Sequence, residues 1–308
     1  MTDARDFIGY GPDTPDPKWP GGARLAVNFV LNYEEGSEPS HPDGDGVSES
    51  GLTELGTASS GLSGRDLAAE SMFEYGARVG VWRLLRLFRE RQMPMTVFAC
   101  ARALERNPKV AEAIAEADYD VCAHGLRWIR HTDLDEATEQ AHVAGAYNSI
   151  RSLTGAPPLG WYCRYAPGLN TRRLVAAHGG FLYDSDSYAD ELPYWSTVEG
   201  KPHLVVPYSL TTNDTKFVRG GMSLGEQFAT YLRDAVDMLL AEGRTHPKMM
   251  SIGLHARVIG HPARALALAR FMDELGRRDG VWIARRADIA RHWMTVHPAV
   301  AAGSEVAA

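Results

Sequence analysis

Cysteine is scarce in this chain: Cys100, Cys122 and Cys163 are the only three, with no Cys-x-x-Cys pair. The odd, low count excludes a disulfide framework and a cysteine-rich zinc site, and it points to a reducing compartment. Basic excess is missing too. Lys and Arg number 32 against 39 Asp and Glu, a formal net charge of -7, so neither nucleic acid nor an anionic membrane is indicated as a partner. No apolar run approaches the roughly 20 residues of a membrane-spanning helix. The opening residues, Met1 to Phe7, lack the apolar centre of an export signal. A cytoplasmic location is therefore expected. There are no repeats, heptads or low-complexity segments beyond a short Ala-rich end.

What is present is an ordinary globular composition, 44% hydrophobic and 23% charged over 308 residues. That length suits one large α/β domain, or at most two. Gly, Pro and Asp punctuate residues 9–20, so residues 1–22 read as an extended arm rather than a packed element. Residues 23–32 form an apolar run of strand length that stops at Tyr33-Glu34-Glu35-Gly36. Residues 37–66 turn to Ser, Gly, Asp, Thr and Pro, a long surface loop of the kind that often serves as a lid.

Beyond that loop, helices and strands alternate. Helices are predicted over 70–92, 108–117, 134–154, 171–178, 225–242, 263–278 and 287–294, with Asp133 capping the third. Strands are predicted over 94–100, 118–124, 159–163, 181–185, 203–208, 248–255 and 281–284. Such alternation predicts a parallel sheet with its helices outside, and this many units favour a TIM-like barrel over an open doubly wound sheet. The barrel domain is bounded at 23–296, leaving a tail over 297–308.

Polar clusters fall just after strand ends: Glu34-Glu35, His124, Arg164, Asp184-Ser-Asp-Ser187 and His255. Taken singly, each has an ordinary structural explanation, as a solvated turn, a satisfied core histidine, a loop-holding arginine or a self-bonded turn aspartate. In parallel α/β barrels, however, the active site is built at the carboxyl ends of the strands. Five clusters at the ends of five different strands converge on one mouth.

At these residues the chain resembles the polysaccharide deacetylases, the NodB-homology or carbohydrate esterase 4 family. Glu34-Glu35-Gly36 stands where that family has Asp-Asp-Gly, His124-Gly-Leu-Arg-Trp128 where it has His-x-x-x-His, and Arg164 with Pro167 where it has an Arg near a Pro. Tyr183-Asp184-Ser185 and Leu254-His255 match the last two motifs. The resemblance spans residues 24–290 and implies a distorted (β/α) barrel. It also implies a metal site, of which Trp128 removes one ligand because an indole has no lone pair to donate. His131 lies seven positions after His124 instead of four. No metal or other cofactor is therefore expected.

Longer stretches are similar to the cofactor-independent allantoinases within that family, including Val30 to Gly36, Glu74 to Trp82, Leu192 to Trp195 and Ala284 to Trp293. The loop Cys163 to Asn170 departs from them, which bears on which ring is recognised. The resemblance implies hydrolysis of the ring amide of allantoin by a small-molecule enzyme acting as a homo-oligomer such as a tetramer. Catalysis falls to Glu34, Glu35, His124 and His255, with Glu35 slightly favoured as base and His255 as acid. Trp128, Arg164, Tyr165, Asp184 and Tyr188 are the expected substrate contacts, with Asp184 orienting Arg164 or a histidine. Hydrolysis of another cyclic amide, a zinc-dependent deacetylase and an inactive binding homologue are the alternatives. Retained buried polar groups argue against the last, since unpaired ones are costly.

Overall fold

The computed structural model describes residues 5–55 and 64–299. Strand β1 (Leu25–Tyr33) is its axis: all nine residues are buried. That is the pattern of a parallel strand covered on both faces, and it explains the continuous apolar run. Around it stand β2 (Thr96–Ala99), β3 (Asp120–Ala123), β4 (Gly160–Trp161), β5 (Tyr183–Asp184), β6 (Tyr194–Val198), β7 (Lys201–Val205), β8 (Lys248–His255) and β9 (Val281–Ile283). The order is β6-β7-β5-β4-β3-β2-β1-β8, with β9 also on β1. Only β6 and β7 are antiparallel.

Past β7 the chain stays on β5, where Val206 N donates to Asp184 O, and then crosses to β8, where Gly253 N donates to Thr212 O. Segment 206–213 thus joins the two ends of the sheet into a distorted barrel. Helices α1 (Leu67–Tyr75), α2 (Val81–Glu90), α3 (Ala101–Arg106), α4 (Pro108–Glu116), α5 (Glu136–Thr154), α6 (Thr171–His178), α7 (Gly225–Glu242), α8 (Pro262–Leu275) and α9 (Arg286–Val296) accompany it. Among the described residues no helix is long and apolar enough to cross a membrane.

The expected alternation holds, with informative differences. Asp135, not Asp133, caps α5, its carboxylate accepting from Thr138 N; Asp133 closes a 3-10 turn before it. The helix expected over 70–92 starts at Leu67 behind Asp66 and is divided by a π-helical turn, Gly76–Gly80. Helix α3 and strand β6 carried no periodic signal long enough to register. The amino-terminal arm is exposed at Phe7 and Ile8 and packs toward its end. Trp19 is buried against Trp282, Trp293 and His292, and its indole Nε1 donates to Lys248 O. The 37–66 loop starts inside the protein, with Ser37, Glu38 and Ser40 buried, and from His41 onward its described residues are mostly half-buried or exposed. Residues 56–63 of that loop, and 300–308 of the tail, lie outside the described residues.

The opposite end of the barrel carries a polar cluster of its own. Helix α9 has no side-chain cap of its own. Instead Arg286 N donates to Thr96 Oγ1, and Ala287 N donates to Asp120 Oδ2. Burial pushes the Asp120 carboxyl up to about 6, against the hydrogen bonds from Thr96 and Ala287. A carboxyl raised above its unfolded value favours folding at low pH and loses that contribution as pH rises through about 6. Asp120→Asn removes the charge and keeps an acceptor. In urea melts it should gain on the order of 1–3 kcal/mol over wild type at pH 8 and nothing at pH 4.

Candidate active site

Where β1 ends, the chain turns at Gly36 with φ +89°, and Glu34 and Glu35 are left buried at the mouth of the barrel. Glu34 is the point of convergence. His124, following β3, points Nε2 at Glu34 Oε1 across 3.2 Å. Its Nδ1 faces Tyr162 O at 2.8 Å; a carbonyl only accepts, so Nδ1 carries the hydrogen and Nε2 is left to the site. His255, the last residue of β8, brings its Nε2 to 3.5 Å from the same Glu34 oxygen.

Behind His255 stands Asp214. Its Oδ1 is 2.6 Å from His255 Nδ1, and its Oδ2 accepts from the His255 and Ile259 backbone amides. A carboxylate bonded to Nδ1 fixes the ring and its tautomer, presenting Nε2 to the site. Asp214 is delivered by segment 206–213, whose Asn213 bridges to Gly253 of β8. Gly253 is required there: a Cβ would meet Asn213 Nδ2 at 2.2 Å and Tyr208 Oη at 2.3 Å.

Glu34, His124, Trp128, Tyr165 and His255 line one cleft with Asn32, Tyr162, Tyr208, Asn213 and Arg219. Glu35 is not on its wall. The side chain folds back so that Oε2 accepts from Glu34 N, and Oε1 accepts from Arg257 N and Nη1, each at 3.2 Å. Arg257 Nη2 also lies 2.7 Å from Glu34 Oε2. Burial drives both glutamates toward the protonated form, but for Glu34 the charges of Arg257 and His255 and the His124 contact outweigh it and hold the carboxyl well below its usual range. For Glu35 burial prevails over Arg257, with Glu34 adding to the rise, and its carboxyl is raised. Burial opposes the charge on His255 as well, yet Asp214 and Glu34 push that imidazolium up to about 9. An ionised carboxylate and a charged imidazole thus share one cleft at neutral pH.

Glu34 faces the cleft, whereas Glu35, the residue favoured as base on the sequence, is held beneath it. Arg164 is held by Glu49 from the 37–66 loop and by Trp128 O, its guanidinium 3.8 Å from the Trp128 ring. It does not line the cleft. Asp184 does not orient Arg164; its oxygens are taken by Arg172 and His203, deep at the end of β5. Tyr188 sits behind the wall, its hydroxyl 2.8 Å from that of Tyr162. Sequence reasoning missed Asp214 and Arg257. A polar Thr-Thr-Asn-Asp-Thr stretch between two strands, and an Arg two places past a strand-end His, were the available signals.

The polysaccharide deacetylase family profile matches residues 65–182. A Schizosaccharomyces pombe relative, named as a polysaccharide deacetylase, is 39% identical over 97% of this chain and 99% of its own length. The chain belongs to the polysaccharide deacetylase family. Among solved structures, a probable polysaccharide deacetylase from Pseudomonas aeruginosa PAO1 is 53% identical with a TM-score of 0.92, and Puue allantoinase is 50% identical with a TM-score of 0.91. Each match covers 96% of this chain and 99% of the other.

The metal site implied for this family does not fit the residues here. Glu35 is engaged by Arg257, and Trp128 offers only a ring. His131 is buried with Nδ1 3.1 Å from Glu139, beside Trp161 and His142. Among the described residues no group of three or more His, Cys, Asp or Glu is placed to hold a metal ion.

If His255 acts through its Asp214 partner, Asp214→Asn should lower kcat by roughly 10²-fold or more with little change in KM. Steady-state kinetics beside circular dichroism of the folded variant would check this. An unchanged kcat would remove Asp214 from the account.

Proposed function

We propose that the chain hydrolyses the ring amide of allantoin to allantoate, as a hydrolase of C–N bonds that uses its own side chains in place of a metal. The single observation that carries this reading is the placement of Glu34 between His124 and His255 on one cleft, with Asp214 behind His255. The 50% identity to Puue allantoinase over nearly the whole chain supports the choice of ring.

Glu34, ionised, takes a proton from water as its oxygen adds to the ring carbonyl. The charge that develops on the carbonyl oxygen lies within reach of the His255 imidazolium. When the C–N bond breaks, His255 delivers its Nε2 proton to the leaving nitrogen. Glu34, now carrying the proton from water, returns it to His255 across their 3.5 Å separation. Water is thereby divided between carbon and nitrogen, and both groups regain their starting states. A carboxylate held as low as Glu34 is ionised across the working range but a weak proton acceptor. The paired, positively charged acid compensates by lowering the energy of the oxyanion. Tyr165, partly exposed on the cleft, offers a flat face to a planar heterocycle, whereas the buried Trp128 ring is already covered by Arg164.

A second reading, hydrolysis of another cyclic amide such as a hydantoin, cyclic imide or dihydropyrimidine, is favoured by one feature. Tyr165, at the centre of the divergent 163–170 loop, is held at φ +23° beside the cleft.

The test is a panel in which allantoin, hydantoin, dihydrouracil and an acetylated chitooligosaccharide are assayed with one preparation. Allantoin is expected to show a kcat/KM at least about 10²-fold above the others, and Glu34→Gln to lower it by roughly 10³-fold. Preference for another ring transfers the assignment to the second reading. Acetate release from the oligosaccharide without ring opening overturns both.

A further inference from the structure

We infer, on the reading of Glu34 as the base, that the Arg257 guanidinium is a tethered cation doing for this site what the family's metal ion does elsewhere, with Arg257 as the positioning residue on which Glu34 depends. The side chain is 1% exposed and reaches both glutamates, Nη2 at 2.7 Å from Glu34 Oε2 and Nη1 at 3.2 Å from Glu35 Oε1. Nε donates to Leu52 O at 3.3 Å, so the loop over residues 37–55 also holds it. Its carbon centre lies 4.5 Å from the Phe73 ring and 5.1 Å from the Trp128 ring. The residue that replaces a ligand histidine therefore offers a π face to a cation in place of a lone pair.

Charge balance requires such a group. Two adjacent buried carboxylates cannot both be ionised without a compensating cation. A guanidinium, in turn, stays charged in a protein and is tolerated in the interior only when paired. Its planar fork spans two carboxylates in a fixed geometry, which a point charge does not.

An independent feature shows that the fold is shaped around this arrangement. The π-helical turn between α1 and α2 begins at Gly76, where a Cβ would meet Glu35 Oε1 at 2.6 Å and Glu35 Cγ at 2.7 Å. Glycine there makes room for Glu35 to lie back under Arg257. Single-turn π bulges frequently mark functional sites.

The experiment uses whichever amide the full-length wild type turns over, so failure of the allantoin assignment leaves it intact. Arg257→Ala should fold, lose roughly 10²-fold or more of kcat with KM within a few fold, and recover at least about tenfold when millimolar guanidinium is added. A merely structural arginine would not show that rescue. Arg257→Lys keeps the charge but not the fork; it should lose at least about tenfold of kcat, and it carries the test by itself if Arg257→Ala does not fold. A kcat within threefold of wild type in either folded variant, or no response of folded Arg257→Ala to guanidinium, overturns the inference.

Discussion

The burial of a carboxylate, Glu34, among two histidines and an arginine is the constraint on which the rest of this structure depends. An isolated buried carboxylate would protonate to escape the low dielectric. Here Arg257 and His255 supply charge within ion-pair distance, so the ionised form survives inside the protein. Their own charges in turn need partners, which Glu35 and Asp214 provide. Five titratable groups from three separate stretches of chain, 34–35, 214 and 255–257, become mutually dependent. Removing one partner leaves a buried charge uncompensated, which is far more damaging than the pair's net worth would suggest.

The barrel is the means by which those stretches meet. Strands β1 and β8 run side by side, with Asn32 opposite His255, so their ends deliver Glu34 and the 255–257 turn to the same edge. Segment 206–213 closes the barrel and, in the same crossing, sets Asp214 beneath His255. Buried Arg286 steadies that crossing from below. Its guanidinium donates to the carbonyls of Val206 and Pro207 and to the side chain of Ser251. The described part of the 37–66 loop covers the other side: Asp45 is paired to Arg127, Glu49 to Arg164, and the Leu52 carbonyl accepts from Arg257.

Much of the fold was legible because parallel strands buried on both faces write long apolar runs, and β1 and β8 are such runs. Helix α5 was equally legible by its periodicity, although its cap was misplaced by two residues because Asp133 and Asp135 are chemically alike and only the preceding 3-10 turn separates their roles. Short α3 and strand β6 were invisible for want of a long enough pattern, whereas β7 overlaps the strand expected over 203–208. In the site, Glu34, His124 and His255 were legible from their positions at strand ends. Arg257 and Asp214 were not, since the first looks like an ordinary loop cation and the second lies in a crossing segment whose destination only the closed barrel reveals. The preference for Glu35 rested on the reach of a longer side chain, into space that the guanidinium already occupies. Asp184 followed a motif faithfully yet serves Arg172 and His203, because a strand-end carboxylate can face inward as readily as toward the cleft.

The measurement that tests the central claim most directly is kcat for ring opening as a function of bound metal, with metal content determined on the same chelator-treated samples. If side-chain charges do the chemistry, kcat per chain stays constant as metal falls below about a tenth of an equivalent. A kcat that declines in proportion to the metal removed, and returns when zinc is added back, would contradict the account.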